Sequence, residues 1–262
     1  MVIKNDVFVF ETHFTAMLFE LIAAILVLVI AIKIFQKWRE RRTVATLYLS
    51  IALFSISLAA FMAFTGLASW FFTWIAEGTS TLVKSPVYYE YSLPLGYFMV
   101  ILYDIFLILF TIQIFLDKNN KKVLPFLISG LTIGILLFLP TNYWGVDPEI
   151  TDPASTRIII LGIFLLYNAI VYILLTFYAF RESKRAEQVL YQKGFQAIAF
   201  GFIANIMVFV FFLIDSILIL FDPGSSGYSI FVNLAWITGF IAAFLFYIGY
   251  ILPAWFRKRY EK

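Results

Sequence analysis

Cysteine is absent from all 262 residues. That removes disulfides, iron–sulfur clusters and thiolate chemistry, and it leaves the redox compartment open. Histidine occurs once, so a bis-histidine haem site or a multi-histidine zinc site cannot form. Charge is scarce as well: Asp, Glu, Lys and Arg make up 13% of the chain, against roughly 25% in an ordinary soluble domain. Apolar residues fill the gap. The chain is 63% hydrophobic and 20% aromatic, with a mean hydropathy of +0.94. This composition excludes a water-soluble globule, a disordered tail and a nucleic-acid-binding protein. The fold class is an all-α integral membrane protein. No metal, cofactor or enzymatic activity is expected.

A helix needs about 20 mostly apolar residues to cross a bilayer core. Seven stretches qualify, at about 15–36, 44–68, 93–116, 122–140, 157–181, 194–221 and 228–253. None alternates as a strand would, and each exceeds the ~10 residues of a barrel strand. The first 15 residues carry no basic run or cleavage signature, so the first stretch reads as a retained helix. The longest connection runs from about 69 to 92, and no loop is long enough for a soluble domain. A single seven-transmembrane-helix bundle over 1–262 is expected.

Charge then sets the orientation. Lys33, Lys37, Arg39, Arg41 and Arg42 lie between helices 1 and 2, and Lys118, Lys121 and Lys122 between 3 and 4. Arg181, Lys184, Arg185 and Lys193 lie between 5 and 6, and Arg257, Lys258, Arg259 and Lys262 form the tail. The other face receives only Lys4, Lys84 and Arg157. Basic residues near helix ends stay cytoplasmic. The N-terminus is therefore expected outside and the C-terminus in the cytoplasm of a multi-pass plasma-membrane protein. Trp70, Trp74, Tyr88, Tyr89, Tyr91, Tyr143 and Trp144 would form the outer aromatic belt, and Trp255 and Tyr260 the inner one. His13 falls in the outer tail as a solvated residue.

Lipid is as apolar as Leu, so helices associate through close backbone approach and buried polar contacts. Small residues supply flat stripes: Gly130 and Gly134 on helix 4, Ser55, Ala59 and Ala63 on helix 2, Ala197 and Gly201 on helix 6, and Ala235, Gly239 and Ala243 on helix 7. They suit packing within the bundle, and Gly130/Gly134 would also suit a homo-oligomer. All eight prolines fall in loops or at helix ends. Transporters commonly bind substrate at broken helices, so unbroken spans weigh against that class.

Three acidic groups stand within the spans: Glu20, Asp104 and Asp215. An intramembrane acid costs at least about 2.5 kcal/mol on insertion scales and marks a functional site by default. Lys, Arg and His occur only at the ends of the spans, so none in their interior can neutralise them. They must be protonated, hydrogen-bonded to Asn, Tyr or backbone, or hydrated from outside. By helix rise, Glu20, Asp215 and Asn233 fall in the outer third, and Asp104, Asn168 and Asn205 near the midplane. Tyr103, Tyr167 and Tyr172 are the expected partners. Two readings stand side by side. One is an outward-facing pocket lined by Glu20, Asp104, Asn168, Asp215 and Asn233, suited to a small cationic or hydrogen-bond-donating ligand or to a proton. The other is a set of separate interhelical clamps.

Known seven-helix families limit the chemistry further. Retinal needs a Schiff-base lysine in the last helix, and 228–253 contains none. The acidic–Arg–Tyr triplet of G-protein-coupled receptors is replaced by Leu116, Asp117 and Lys118, and their Asn-Pro-x-x-Tyr motif is missing. Asp104 and Asp215 could be set beside the dyad of intramembrane aspartyl proteases. The Gly-x-Gly-Asp motif of that family is absent, and the two acids differ in depth by about 9 Å at 1.5 Å per residue. The segment 247–259 (YIGYILPAWFRKR) resembles the close of seven-helix sensory modules in bacterial and archaeal signalling proteins. There an aromatic–Gly stretch, Pro, Trp and a basic run lead to an output domain. Here the chain stops three residues after Arg259, so the resemblance implies a sensor that signals through a separate cytoplasmic partner. Arg39, Arg41, Arg42, Arg181, Lys184 and Arg185 are the expected contact residues, with 182–193 extending helix 5 or 6. The competing expectation is a membrane-embedded subunit or scaffold of a larger complex, and a channel or transporter stands third.

Overall fold

A computed structural model describes residues 2–77, 92–115, 123–138, 153–221 and 229–260. The side chains of His13, of the residues expected in the outer belt, and of Lys118, Lys121 and Lys122 lie outside the described ones. Eight helices follow one another among the described residues: α1 (Val2–Arg41), α2 (Val44–Glu77), α3 (Leu93–Phe115), α4 (Leu124–Phe138), α5 (Pro153–Arg185), α6 (Val189–Phe221), α7 (Ile230–Ile251) and α8 (Ala254–Tyr260).

Six of these are long and apolar enough to cross a membrane. The chain is thus a helical bundle with the make-up of a multi-pass membrane protein. The stretch expected over 122–140 departs from this. Its helix, α4, has 15 residues, about 22 Å at 1.5 Å per residue, short of the ~20 residues of a full crossing. Proline marks the start of the described helix. Pro125 stands in the first turn of α4, where its missing N–H costs nothing. The other departures lengthen helices: α1 starts at Val2, α2 continues to Glu77 into the expected loop, and α5 starts at Pro153. Both arms of 182–193 are helical, as the end of α5 and the start of α6, with a short link at 186–188.

The helices close into a ring in chain order. α1 packs on α2, α2 on α3, α5 on α6, α6 on α7, and α7 back on α1. α3 touches α5 directly, and α4 lies against both. Up-and-down connection brings every described Lys and Arg side chain to the end of the bundle formed by the C-termini of α1, α5 and α7, called the basic end below. The main apolar core runs through the ring, with Tyr172, Phe110, Phe202 and Phe246 among its fully buried side chains, and a small second cluster gathers Ala16, Leu67 and Val232. Leu18, Ile22, Ile25, Val29 and Ile32 on α1, by contrast, are exposed, as a lipid-facing stripe would be.

Small residues decide how closely the ring closes. A Cβ on Gly249 of α7 would stand 2.5 Å from the Gly194 carbonyl of α6, and one on Gly201 would stand 2.8 Å from the Phe246 ring. On the α1–α2 seam, Ser57 Oγ donates to the Ala24 carbonyl at 2.8 Å and Ser50 Oγ to the Ala31 carbonyl at 3.3 Å. Gly130 and Gly134 of α4 are occupied from within the chain. The Tyr167 hydroxyl fills the space beside Gly130, and Phe98 and Ile101 of α3 fill that beside Gly134.

The basic end is finished by two left-handed residues. Arg42 (φ 55°) closes α1, its N–H donating to the Trp38 carbonyl at 2.7 Å while its guanidinium lies 5.1 Å over the Trp38 ring. Leu252 (φ 53°) closes α7 in the same way on Ile248, and Pro253 then separates α7 from α8. The Tyr250 hydroxyl reaches Thr46 Oγ1 at 2.8 Å, tying α7 to the start of α2.

Candidate functional site

Apolar helices leave few polar side chains in the core, so each stands out by its partner or lack of one. Asp104 of α3 is completely buried. Its Oδ1 accepts a hydrogen bond from the Tyr172 hydroxyl of α5, and its Oδ2 has no partner. One residue earlier on α3, the Tyr103 hydroxyl meets Asn205 Nδ2 of α6 at 2.5 Å. Consecutive residues of one helix point about 100° apart, so Tyr103 and Asp104 address two different neighbours. α3 is in this way tied to both α5 and α6 at one level.

Aromatic rings cover this cluster. Tyr172 stacks on Phe209 of α6 at 5.7 Å between centroids, and Phe209 meets Phe164 edge-on at 5.8 Å, which in turn meets Tyr97 of α3 at 5.4 Å. Asn168, one turn before Tyr172, is also fully buried. Its Nδ2 donates to the Phe164 carbonyl of its own helix at 2.7 Å, and its Oδ1 is unpaired. Further unpaired polar atoms follow the same helix rows toward the basic end: Thr176 Oγ1, one turn beyond Tyr172, and Thr111 Oγ1, two turns beyond Asp104.

Away from the basic end lies a second polar group. Glu20 of α1 is 2% exposed and sits beside the Trp236 indole of α7. The two stop short of a hydrogen bond of good geometry, leaving Glu20 Oε2 and Trp236 Nε1 unpaired. Asn233, one turn before Trp236 on the same face, has an unpaired Oδ1. Phe212 of α6 meets Trp236 edge-on at 5.8 Å. Asp215 has a third, separate place. Its Oδ1 accepts from the Ser229 backbone N–H at 2.8 Å, while the Ser229 hydroxyl accepts from Phe231 N–H at 3.2 Å as the N-cap of α7. Asp215 thereby holds the start of α7 onto α6, where a helix N-terminus favours negative charge.

The five residues expected to line one pocket therefore divide. Asp104 and Asn168 lie on α3 and α5, Glu20 and Asn233 on α1 and α7, and Asp215 at the α6–α7 corner. Each of the three acids has its own surroundings. Of the tyrosines expected as partners, Tyr172 serves Asp104, Tyr103 serves Asn205, and Tyr167 donates to the Phe126 carbonyl of α4 at 3.0 Å. Trp236 is not among the residues that the sequence singles out. Its signal is a lone indole inside a span, away from the interfacial belts where tryptophan normally sits.

Among the described residues, the ion pairs are Lys37–Glu40 and Arg185–Glu182, both on the helix ends. No group of three His, Cys, Asp or Glu side chains that could hold a metal occurs among them. Arg39, Arg41, Arg42, Arg181, Lys184 and Arg185 are all exposed at the basic end. No protein-family model, curated protein or solved structure matches this chain. The functional reading therefore rests on the geometry of the polar groups.

Proposed function

We propose that this chain is a receptor-like, seven-helix membrane sensor without catalytic activity, reporting to a separate cytoplasmic partner. The segment 122–140 serves as the seventh crossing. The basic end faces the cytoplasm and the N-terminus lies outside, as the concentration of Lys and Arg favours. The observation that carries the reading is Asp104: completely buried, one oxygen bonded to Tyr172, the other bare, with no cation beside it. A group so costly to insert is a functional site by default. A change in its protonation or ligation alters its bond to α5. Through the adjoining Tyr103–Asn205 pair it also reaches α6, whose glycine contacts couple it to α7 at the basic end. Arg39, Arg41, Arg42, Arg181, Lys184 and Arg185 form the surface that the partner reads.

A second reading, a membrane-embedded subunit or scaffold, is favoured by the number of polar groups that simply tie helices together: Asp215 to Ser229, Asn205 to Tyr103 and Ser57 to Ala24. Mild-detergent purification from native membranes separates the two. A sensor brings down a soluble kinase or adaptor, whose association shifts with pH or ligand and no longer shifts in Asp104→Asn. Stoichiometric recovery with a membrane enzyme, unaffected by Asp104→Asn, would replace the sensor by the subunit.

A further inference from the structure

At the basic end α7 is followed by a short helix of a different kind. α7 has 22 residues, about 33 Å at 1.5 Å per residue, which matches the ~30 Å hydrocarbon core of a bilayer. Leu252, in the left-handed region, cannot continue that helix. Pro253 supplies the carbonyl on which the next one starts, accepting from the Phe256 and Arg257 N–H groups at 2.9 and 3.0 Å. α8 therefore begins where the hydrocarbon of a bilayer ends. It leaves the α7 axis and touches α6.

The seven residues of α8 divide by helical spacing. Phe256 and Tyr260, four apart, share one side; they are half-buried and meet at 5.1 Å between ring centroids. Trp255, Lys258 and Arg259, three and four apart, share the other side and are exposed, Trp255 at 58%. The helix contains no acidic residue. Among the described residues, no carboxylate stands within ion-pair distance of Lys258 or Arg259. An exposed indole thus lies between two cations that have no counter-ion, at the depth of lipid headgroups.

The chemistry of this face selects its occupant. Tryptophan joins a large apolar ring to one N–H donor, which is why it is favoured at the membrane–water interface. Lys and Arg can only donate, and a guanidinium meets phosphate oxygens two at a time. A zwitterionic headgroup brings its own cation beside the phosphate, so uncompensated Lys258 and Arg259 favour a lipid of net negative charge. An acidic protein would first have to displace lipid from the Trp255 ring. We propose that Trp255, Lys258 and Arg259 form a binding site on α8 for the headgroup phosphate of an anionic phospholipid. The site lies on a different element from the arginines and lysines assigned to the cytoplasmic partner. It rests on the chain spanning a membrane and not on the sensor reading.

The test places the full chain in nanodiscs of phosphatidylcholine and phosphatidylglycerol, with one of the two lipids brominated high on its acyl chains so that it quenches nearby indoles. Subtracting the signal of Trp255→Phe isolates Trp255 from the other tryptophans. Brominated phosphatidylglycerol should quench Trp255 at a clearly lower mole fraction than brominated phosphatidylcholine, and added salt should weaken that preference. Each basic residue near an anionic surface contributes about fivefold in affinity. Lys258→Gln should therefore reduce the preference about fivefold, and the double variant with Arg259→Gln further still. Equal quenching of the wild-type chain by the two lipids overturns the site without recourse to any variant. A preference unchanged in the double variant overturns it as well. So does quenching of Trp255 by acrylamide from the water and by neither lipid, which would turn this face toward solvent or a soluble partner. Each of these results leaves the Asp104-dependent partner association untouched, so the two proposals fail separately.

Discussion

The α6–α7 seam is built in opposite ways at its two ends. At the basic end the helices meet backbone to backbone. Gly194 and Gly249 leave no room for a Cβ, since one on either would stand within 2.8 Å of the other's carbonyl oxygen. Leu252 and the Tyr250–Thr46 bond then fix where α7 stops. Toward the opposite end the same seam is made differently. A Cβ on Gly239 would meet its nearest neighbour, Val208 Cγ2, at 3.7 Å, which is ordinary contact, and polar side chains enter: Asp215 on Ser229, and Trp236, its Nε1 unpaired, against Phe212. Close packing has a single deep minimum, whereas an incompletely satisfied polar group has alternatives close in energy. The basic end is therefore the fixed part of the seam, and the far end is the adaptable part.

The largest effect expected from this contrast is at Gly249. Gly249→Ala places a methyl 2.5 Å from the Gly194 carbonyl and 2.7 Å from Ile198, both on a backbone-anchored helix. Overpacking costs typically 1–3 kcal/mol, and with rigid neighbours we expect about 3. Thermal unfolding in detergent should show the loss. A Tm equal to wild type would mean that the helices stand further apart here. Next comes Tyr172→Phe, which strips Asp104 of its partner. Interhelical hydrogen bonds in membranes average ~0.6 kcal/mol with a maximum near ~1.7. We expect about 1 to 1.5, because the carboxyl then has neither oxygen paired. If Tyr172→Phe and Asp104→Leu destabilise additively, the bond is not the link between α3 and α5 that it is taken to be.

Asp215→Ala removes the acceptor for the Ser229 N–H. Helix-start contacts of this kind contribute about 0.5–2 kcal/mol, and with the Ser229 hydroxyl still capping Phe231 we expect the low end, about 0.5. Hydrogen exchange should accelerate over 229–233 and stay unchanged at 246–251. Equal acceleration at both ends would show that α7 opens as one unit and would erase the contrast between them.

Much of this architecture is legible in the amino-acid sequence. Hydropathy locates the helices, because a long apolar run has one reading in a bilayer, and the small-residue stripes on α6 and α7 lie where those helices meet. The short α4 is harder: after Lys122 the stretch to 140 is predominantly apolar, and only the placement of Pro125 bears on where the described helix begins. The polar cores are legible as residues but not as pairs. Tyr103, Tyr167 and Tyr172 all lie at suitable depth, and which one reaches Asp104 depends on helix rotation, a property of the whole ring. Asp215 is out of reach for a simpler reason. Its partner is a backbone N–H, which every residue except proline carries, so nothing in the sequence marks it.

The smallest expected effect is the sharpest check on the comparison. Gly239 belongs to the same small-residue stripe of α7 as Ala235 and Ala243 and could be taken for another point of close helix contact. A Cβ there would meet only Val208 Cγ2, at 3.7 Å, in ordinary van der Waals contact. Gly239→Ala thus adds a favourable contact and lowers the conformational freedom of the unfolded chain, against no steric cost. The change should stay within about 0.5 kcal/mol of wild type and on the stabilising side. Set beside Gly249→Ala, one methyl on one helix would then span almost the whole range of effects expected along the seam. A large loss at Gly239 would instead mean that α6 and α7 are packed equally tightly along their length, and the far end would no longer be the adaptable half of the seam.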